Sequence, residues 1–156
     1  MSDAAFAKSD LFAGIEEEAL EAVAGLARRE ELPAGERVFR LGGEARAVYV
    51  IESGTVALTL PITVGSAERD ITIDEKGAGA LIGWSALVAP HRFTLGAHAV
   101  SDVVISSLDV EGLSGLFRGR PQIQATVMTN LAGVVAGRLT RWQAIAVRSA
   151  HRWIGG

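Results

Sequence analysis

The stretch Gly79-Ala80-Leu81-Ile82-Gly83-Trp84-Ser85-Ala86-Leu87-Val88-Ala89-Pro90-His91-Arg92-Phe93-Thr94 decides how this chain folds. It reads as the end of a strand, a glycine, a short helical turn, a loop carrying one Arg, and the start of a new strand. Such a turn presents several backbone N–H groups at a helix start, and a glycine at position 83 lets a ligand approach them closely. The segment is therefore expected to form an anion-binding turn, with a short helix over residues 83–87.

Working outward, the flanks are strand-like. Ala47-Val48-Tyr49-Val50-Ile51-Glu52 and Thr55-Val56-Ala57-Leu58-Thr59-Leu60 are β-rich runs joined at Ser53-Gly54, which is a hairpin signal. Arg37 to Arg40 form a short strand. A second hairpin is expected at Gly65-Ser66, leading into Asp70 to Ile73, and Phe93 to Val100 and Val103 to Leu108 complete the set. Short strands with turns every 8–12 residues point to an antiparallel barrel or sandwich, here a β-roll.

Helical periodicity brackets these strands. Glu16-Glu17-Glu18 followed by Leu20, Val23, Ala24 and Leu26 predicts an amphipathic helix ending near Arg28. Asp109 is a suitable N-cap for Val110 onward, and Pro121 suits the first position of a longer helix. That helix carries Ile123, Val127, Leu131, Val134, Val135, Leu139, Trp142 and Ile145, and is expected to run to about Arg152. Its apolar face is wider than a small roll covers. The expected consequence is a homodimer with Val127, Leu131, Val134 and Leu139 near the seam and Arg138, Arg141 and Arg148 at the rim.

Composition narrows the classes. The chain has 156 residues, 49% of them hydrophobic, and no cysteine, which suits one folded domain and excludes disulfides and thiolate metal sites. Met1 to Asp10 has no long apolar run, so no leader is expected, and no membrane span is foreseen. Gly112 to Gly156 carries six Arg and no acidic residue, so this segment is +6 against a chain total of −3 and the remainder is −9. A basic end suits nucleic acid or an acidic partner, but it also suits the solvated face of a long helix. No Ser-His-Asp order or carboxylate pair suggests catalysis. His91, His98 and His151 have no metal-ligand spacing and are read as ordinary surface or partly buried histidines.

In this order of elements the chain resembles the cyclic-nucleotide-binding domains of the catabolite activator (Crp/Fnr) superfamily, from about Leu11 to Trp142. Leu11-Phe12-Ala13-Gly14-Ile15 looks like that family's entry to its first helix. Leu32-Pro33-Ala34-Gly35-Glu36 resembles the turn before its first strand, and Tyr49 to Val56 resembles its hairpin around Gly54. The resemblance implies a single domain over 1–156: a helix at 15–28, an antiparallel double-stranded β-helix (a jelly-roll-like β-roll) at 32–109, and helices at 110–153. The family's phosphate-binding cassette reads Gly-Glu-x-Ala-Leu, then Arg and a small hydroxyl residue. Gly83 takes the Gly position, Ala86-Leu87 the Ala-Leu, and Thr94 the hydroxyl. Trp84 stands where the family has the carboxylate that bonds the ribose, and an indole offers one donor and no acceptor. Counting back from Ala97-His98-Ala99 puts Phe93 at the Arg position, with Arg92 one residue before it.

The ligand-site candidates are therefore Gly83, Trp84, Ser85, Ala86, Arg92, Phe93 and Thr94. Arg92 reads equally as an anion partner or a solvated loop residue. Trp84 either stacks on a planar ligand or fills the pocket as core, and filling is the favoured reading. The implied function is a cytoplasmic, non-enzymatic regulatory module with a small-molecule effector, a cyclic nucleotide or other small anion, and altered specificity. It would act through a dimer helix or an unidentified protein partner. The alternatives are a cAMP or cGMP receptor with altered contacts, and a structural dimerisation module with a collapsed pocket. Haem occurs in a few sensors of the superfamily, but these histidines give it no support. Direct nucleic-acid binding is not expected, because no helix-turn-helix follows Arg152.

Overall fold

The computed structural model describes Phe6 and residues 8–155, so the reading of Met1 to Asp10 falls largely outside the described residues. A short 3-10 turn at Asp10–Phe12 leads to helix α1 (Glu17–Gly25). Strands β1 (Arg28–Leu32), β2 (Arg37–Phe39), β3 (Ala47–Ser53), β4 (Val56–Val64), β5 (Ala67–Lys76) and β6 (Leu81–Ile82) follow. A second 3-10 turn at Trp84–Leu87, strands β7 (Gly96–Ala99) and β8 (Val103–Asp109), and helices α2 (Val110–Gly119) and α3 (Pro121–Ile154) complete the chain.

The strands form two four-stranded antiparallel sheets, in the orders β1-β8-β3-β6 and β2-β7-β4-β5. Among the described residues they remain two sheets, and no closed barrel forms. One cluster of buried side chains joins them to the helices: Val48, Val50, Val56, Leu58, Ile82 and Ile105 from the strands, Val23 from α1, Leu113 and Phe117 from α2, and Ile123, Val127 and Leu131 from α3. Each such burial is worth about 1.5–3 kcal/mol, which makes this cluster the main favourable term holding helices to sheets.

Local chemistry sets the connections. Gly54 sits at φ +87° in the turn between β3 and β4, where a Cβ would collide with the carbonyl oxygen of Asp102, so only glycine serves. The β4–β5 hairpin closes at Gly65-Ser66, with Val64 paired to Ala67. Asp109 caps α2 by accepting from Glu111 N at 2.8 Å, and Pro121 opens α3.

Three expectations need correction. The first helix ends at Gly25, not Arg28, and Arg28 to Leu32 form an edge strand paired with β8 from Arg28↔Ser107 to Leu32↔Val103. Its sequence Arg-Arg-Glu-Glu-Leu has no apolar alternation, because both of its faces are largely solvated and charged residues suit an exposed edge. The last approach to the core is also shorter than expected, with β7 beginning at Gly96 and not at Phe93. Finally, Val127 and Leu131 are not on an exposed seam. They are 0% and 4% exposed against the chain's own core. Asn130 fixes this docking by donating to the carbonyls of Leu11 and Ala13 at 2.9 and 2.8 Å.

Helix α3 has 34 residues, so at about 1.5 Å per residue it spans on the order of 50 Å. Only its first third is buried, and Val134, Val135 and Arg138 beyond it are half-buried. Leu139, Trp142, Ile145, Val147, Trp153 and Ile154 are all exposed. No helix among the described residues is long and apolar enough to cross a membrane.

Candidate functional site

The candidate site is built on Gly83. It adopts φ +78°, a left-handed conformation that ends β6 and opens the turn Trp84–Leu87. A Cβ there would lie 3.1 Å from Tyr49 Cδ2 and 3.3 Å from Phe93 Cε1, closer than ordinary contact, so the position is tight as well as left-handed. Ala86 N donates to the Gly83 carbonyl at 3.2 Å, and Ser85 and Ala86 are buried beneath the turn.

The loop that follows sends its two central residues in different directions. Phe93 is buried and stacks on Phe39, with ring centroids 4.0 Å apart and planes 11° from parallel. Phe39 stacks in turn on Tyr49 at 5.8 Å. Arg92 is exposed and donates from Nη1 to the carbonyl of Gly42 at 3.0 Å, beside its bridge to Glu44. It is spent on the neighbouring loop and does not line the cleft. Thr94 is exposed and does line it. His91 adopts φ +57°, and its Nδ1 donates to the Ala86 carbonyl at 3.0 Å, tying the loop to the turn. His98 lies in β7 and His151 on the exposed end of α3. Among the described residues no group of His, Cys, Asp and Glu side chains could hold a metal ion.

The cleft over the turn is lined by Phe39, Leu58, Ile82, Gly83, Trp84, Ser85, Phe93, Thr94, Leu95 and Arg138, and encloses about 20 Å³. That is room for about one water, whereas small-molecule sites run to roughly 300–1,000 Å³.

Among the described residues, the one cation that lines the cleft comes from helix α3. Arg138 places its guanidinium 5.6 Å from the centre of the Trp84 ring, within the range of a cation–π contact. Burial lowers the pKa of Arg138, with the nearby Asp74 charge acting against that and Arg141 adding to it, and the group stays charged. One helical turn further on, Arg141 grips Asp74 of β5 with both terminal nitrogens, at 2.9 and 3.1 Å. Lys76 Nζ adds a third contact to Asp74 at 3.0 Å. Partial burial pushes the Asp74 carboxyl up, but the bonds and charges of Lys76 and Arg141 outweigh it and hold its pKa below the ordinary value.

Of the residues expected at the site, Gly83, Trp84, Ser85, Phe93 and Thr94 line this cleft, Ala86 is buried in the turn beside it, and Arg92 lies outside it. Sequence reasoning misses Arg138, which it puts at a dimer rim. The signal was present: Arg138 lies seven residues, two helical turns, after Leu131 and so shares the face that packs on the sheets.

Comparison with known proteins agrees with this geometry. The family model described as "Cyclic nucleotide-binding domain" matches residues 29–120. The chain is similar to the cyclic AMP receptor protein of Thermus thermophilus, 30% identical over 131 residues, covering 84% of this chain and 57% of that protein. It also resembles an uncharacterized NTE family protein of Mycobacterium tuberculosis, 24% identical over 122 residues, of which it spans only a fifth. Among solved structures, a cyclic nucleotide-binding domain from Methylobacillus flagellatus superposes with a TM-score of 0.77 at 18% identity, covering 90% of this chain and 81% of that one. The curated relatives are thus considerably longer than this chain.

Proposed function

This chain belongs to the cyclic nucleotide-binding domain family of the Crp/Fnr-like superfamily, whose domains are regulatory and non-catalytic, and we propose that it is a sensing module whose ligand cleft is filled by its own side chains. The observation that carries this reading is the cleft of about 20 Å³ closed by Trp84, Phe93 and Arg138. In the family's arrangement a carboxylate and an Arg meet the ligand. Here an indole and a phenyl ring stand in those positions, and neither accepts a hydrogen bond or carries a positive charge. Losing a charge-assisted bond to the ribose costs about 1.5–3 kcal/mol, and an unpaired phosphate adds to it. cAMP is therefore expected to bind at least about a hundredfold more weakly than to a site with both groups, or not at all.

A second reading has one observation in its favour. Arg138 and the hydroxyl-bearing Thr94 both line the cleft, so an effector that displaced Trp84 would meet a cation. That arrangement suits a cAMP or cGMP receptor with altered contacts, or a receptor for a smaller anion. Calorimetric titration with cAMP, cGMP and inorganic phosphate tests both readings. The filled-cleft reading expects no heat at micromolar ligand, whereas submicromolar affinity for either nucleotide overturns it.

The two sheets and flanking helices are read as the superfamily's β-roll, forming one module over the 156 residues of this chain and working in the cytoplasm. Its output is a homodimer through the uncovered part of α3. Leu139, Trp142, Ala146 and Trp153 lie on one face, spaced by three, four and seven residues, which is the repeat that lets two helices pack along a seam. An isologous pairing of that face is the simplest closed assembly. Light scattering tests it, and a monomer at tens of micromolar overturns it.

A further inference from the structure

Helix α3 changes its mode of attachment between Leu131 and Arg141. Up to Leu131 it is fixed by buried apolar side chains at intervals of four residues. After that come two half-buried valines, Val134 and Val135, and then Arg138 over Trp84 and Arg141 on Asp74. Every described residue beyond Arg141 is exposed. Gly133 and Gly137 lie within this change of attachment, and a Cβ on either would meet open space, so neither is required by close packing. Two glycines with no packing role weaken a helix locally relative to alanine.

We propose that Trp84, Arg138, Asp74 and Arg141 form a ligand-independent latch that holds the outer part of α3 down on the cleft, with Trp84 acting as a built-in stand-in for a bound molecule. The indole presents a flat π-face to the helix from inside the cleft, and Arg138 caps that face. The forked Arg141–Asp74 contact, braced by Lys76, fixes the azimuth of the helix so that Arg138 stays over the ring. Each contact lies on α3 beyond the two glycines, so breaking both frees the outer helix while the core anchors at Ile123, Val127 and Leu131 stay in place. The helix is then a two-position arm whose resting position is the closed one. This rests on the reading that α3 is the output element, because only then does the arm's position carry a signal.

The chain has no native cysteine, so spin labels can be placed cleanly at Thr72→Cys on β5 and Gln143→Cys on α3. Distances within one chain are read by electron–electron double resonance, with labelled protein diluted into unlabelled protein and no nucleotide added. The full chain is expected to give one narrow distance. Trp84→Ala combined with Asp74→Asn is expected to add a longer, broad population, raising the released fraction by about tenfold or more. Should Trp84→Ala fail to fold, the pair Arg138→Gln and Asp74→Asn, both away from the buried core, carries the same expectation. A broad distribution in the unmodified chain, or an unchanged narrow distance in the folded variants, overturns the latch. Because no nucleotide is present, this outcome is independent of the calorimetry that tests the filled cleft.

Discussion

The two ends of helix α3 obey different physics. From Pro121 to Leu131 the helix is a piece of the core, buried at Ile123, Val127 and Leu131 and tied by Asn130 to the chain at Leu11 and Ala13. From Leu139 to Ile154 it carries large apolar residues too, among them Leu139, Trp142, Ile145 and Val147, but these are exposed. The presence of apolar residues does not distinguish the two ends, since Ile, Val and Leu occur in both. What distinguishes them is reach: the sheets extend far enough to cover the first end and not the second. An apolar helix face is therefore evidence of burial somewhere, and the neighbouring elements decide whether the cover comes from the same chain.

The largest effect separates the ends directly. Leu131→Asp should cost about 4 kcal/mol or more, because it removes a buried leucine and places a charge in the core, and urea unfolding should register it as a collapse of the midpoint. Trp142→Glu should leave that midpoint within about 0.5 kcal/mol when measured on the monomer. It should instead weaken self-association by roughly thirtyfold or more in sedimentation or light scattering. If both substitutions behave alike, the division of the helix is wrong.

Between the ends, the glycines offer a gain. Gly137→Ala should raise stability by about 0.5–1 kcal/mol in thermal unfolding, since the site is helical and has open space for a Cβ. A loss of stability there would mean that the glycine serves a contact. The smallest effect belongs to Asp74. As the carboxyl has a lowered pKa in the folded chain, its contribution is present at neutral pH and is lost as pH falls through that lowered value, below the usual carboxylate range. Asp74→Asn should cost roughly 0.5–1 kcal/mol at pH 7 and flatten that part of the acid limb of the stability curve. An unchanged acid limb would show that the Arg141 contact is not held in solution.

The parts legible in sequence were those whose cause is local. Gly54 marks its turn because the backbone there excludes a side chain, and β3 and β4 show themselves through runs of Val, Ile and Leu that meet the core. Gly83 marks the cassette turn for a similar reason. Strand β1 was illegible, because an edge strand with solvated faces owes its existence to pairing with β8, some 75 residues away. Arg138 was half legible: its spacing from Leu131 puts it on the packed face, but over no particular partner. Nothing near it in sequence mentions Trp84, and only the docking phase set by Leu131 brings the two together. Arg92 stood in the right loop, but the loop's register hands the inward position to Phe93 and leaves Arg92 bonded to Gly42.

In the proposed function this chain fills its own ligand cleft. Isothermal titration of cAMP into the unmodified chain and into Trp84→Glu, side by side, tests it most directly. The account predicts no measurable heat for the unmodified chain at micromolar nucleotide. A detectable gain is expected for Trp84→Glu, which restores an acceptor and removes the indole that lines a cleft of about 20 Å³. Submicromolar binding by the unmodified chain would contradict it.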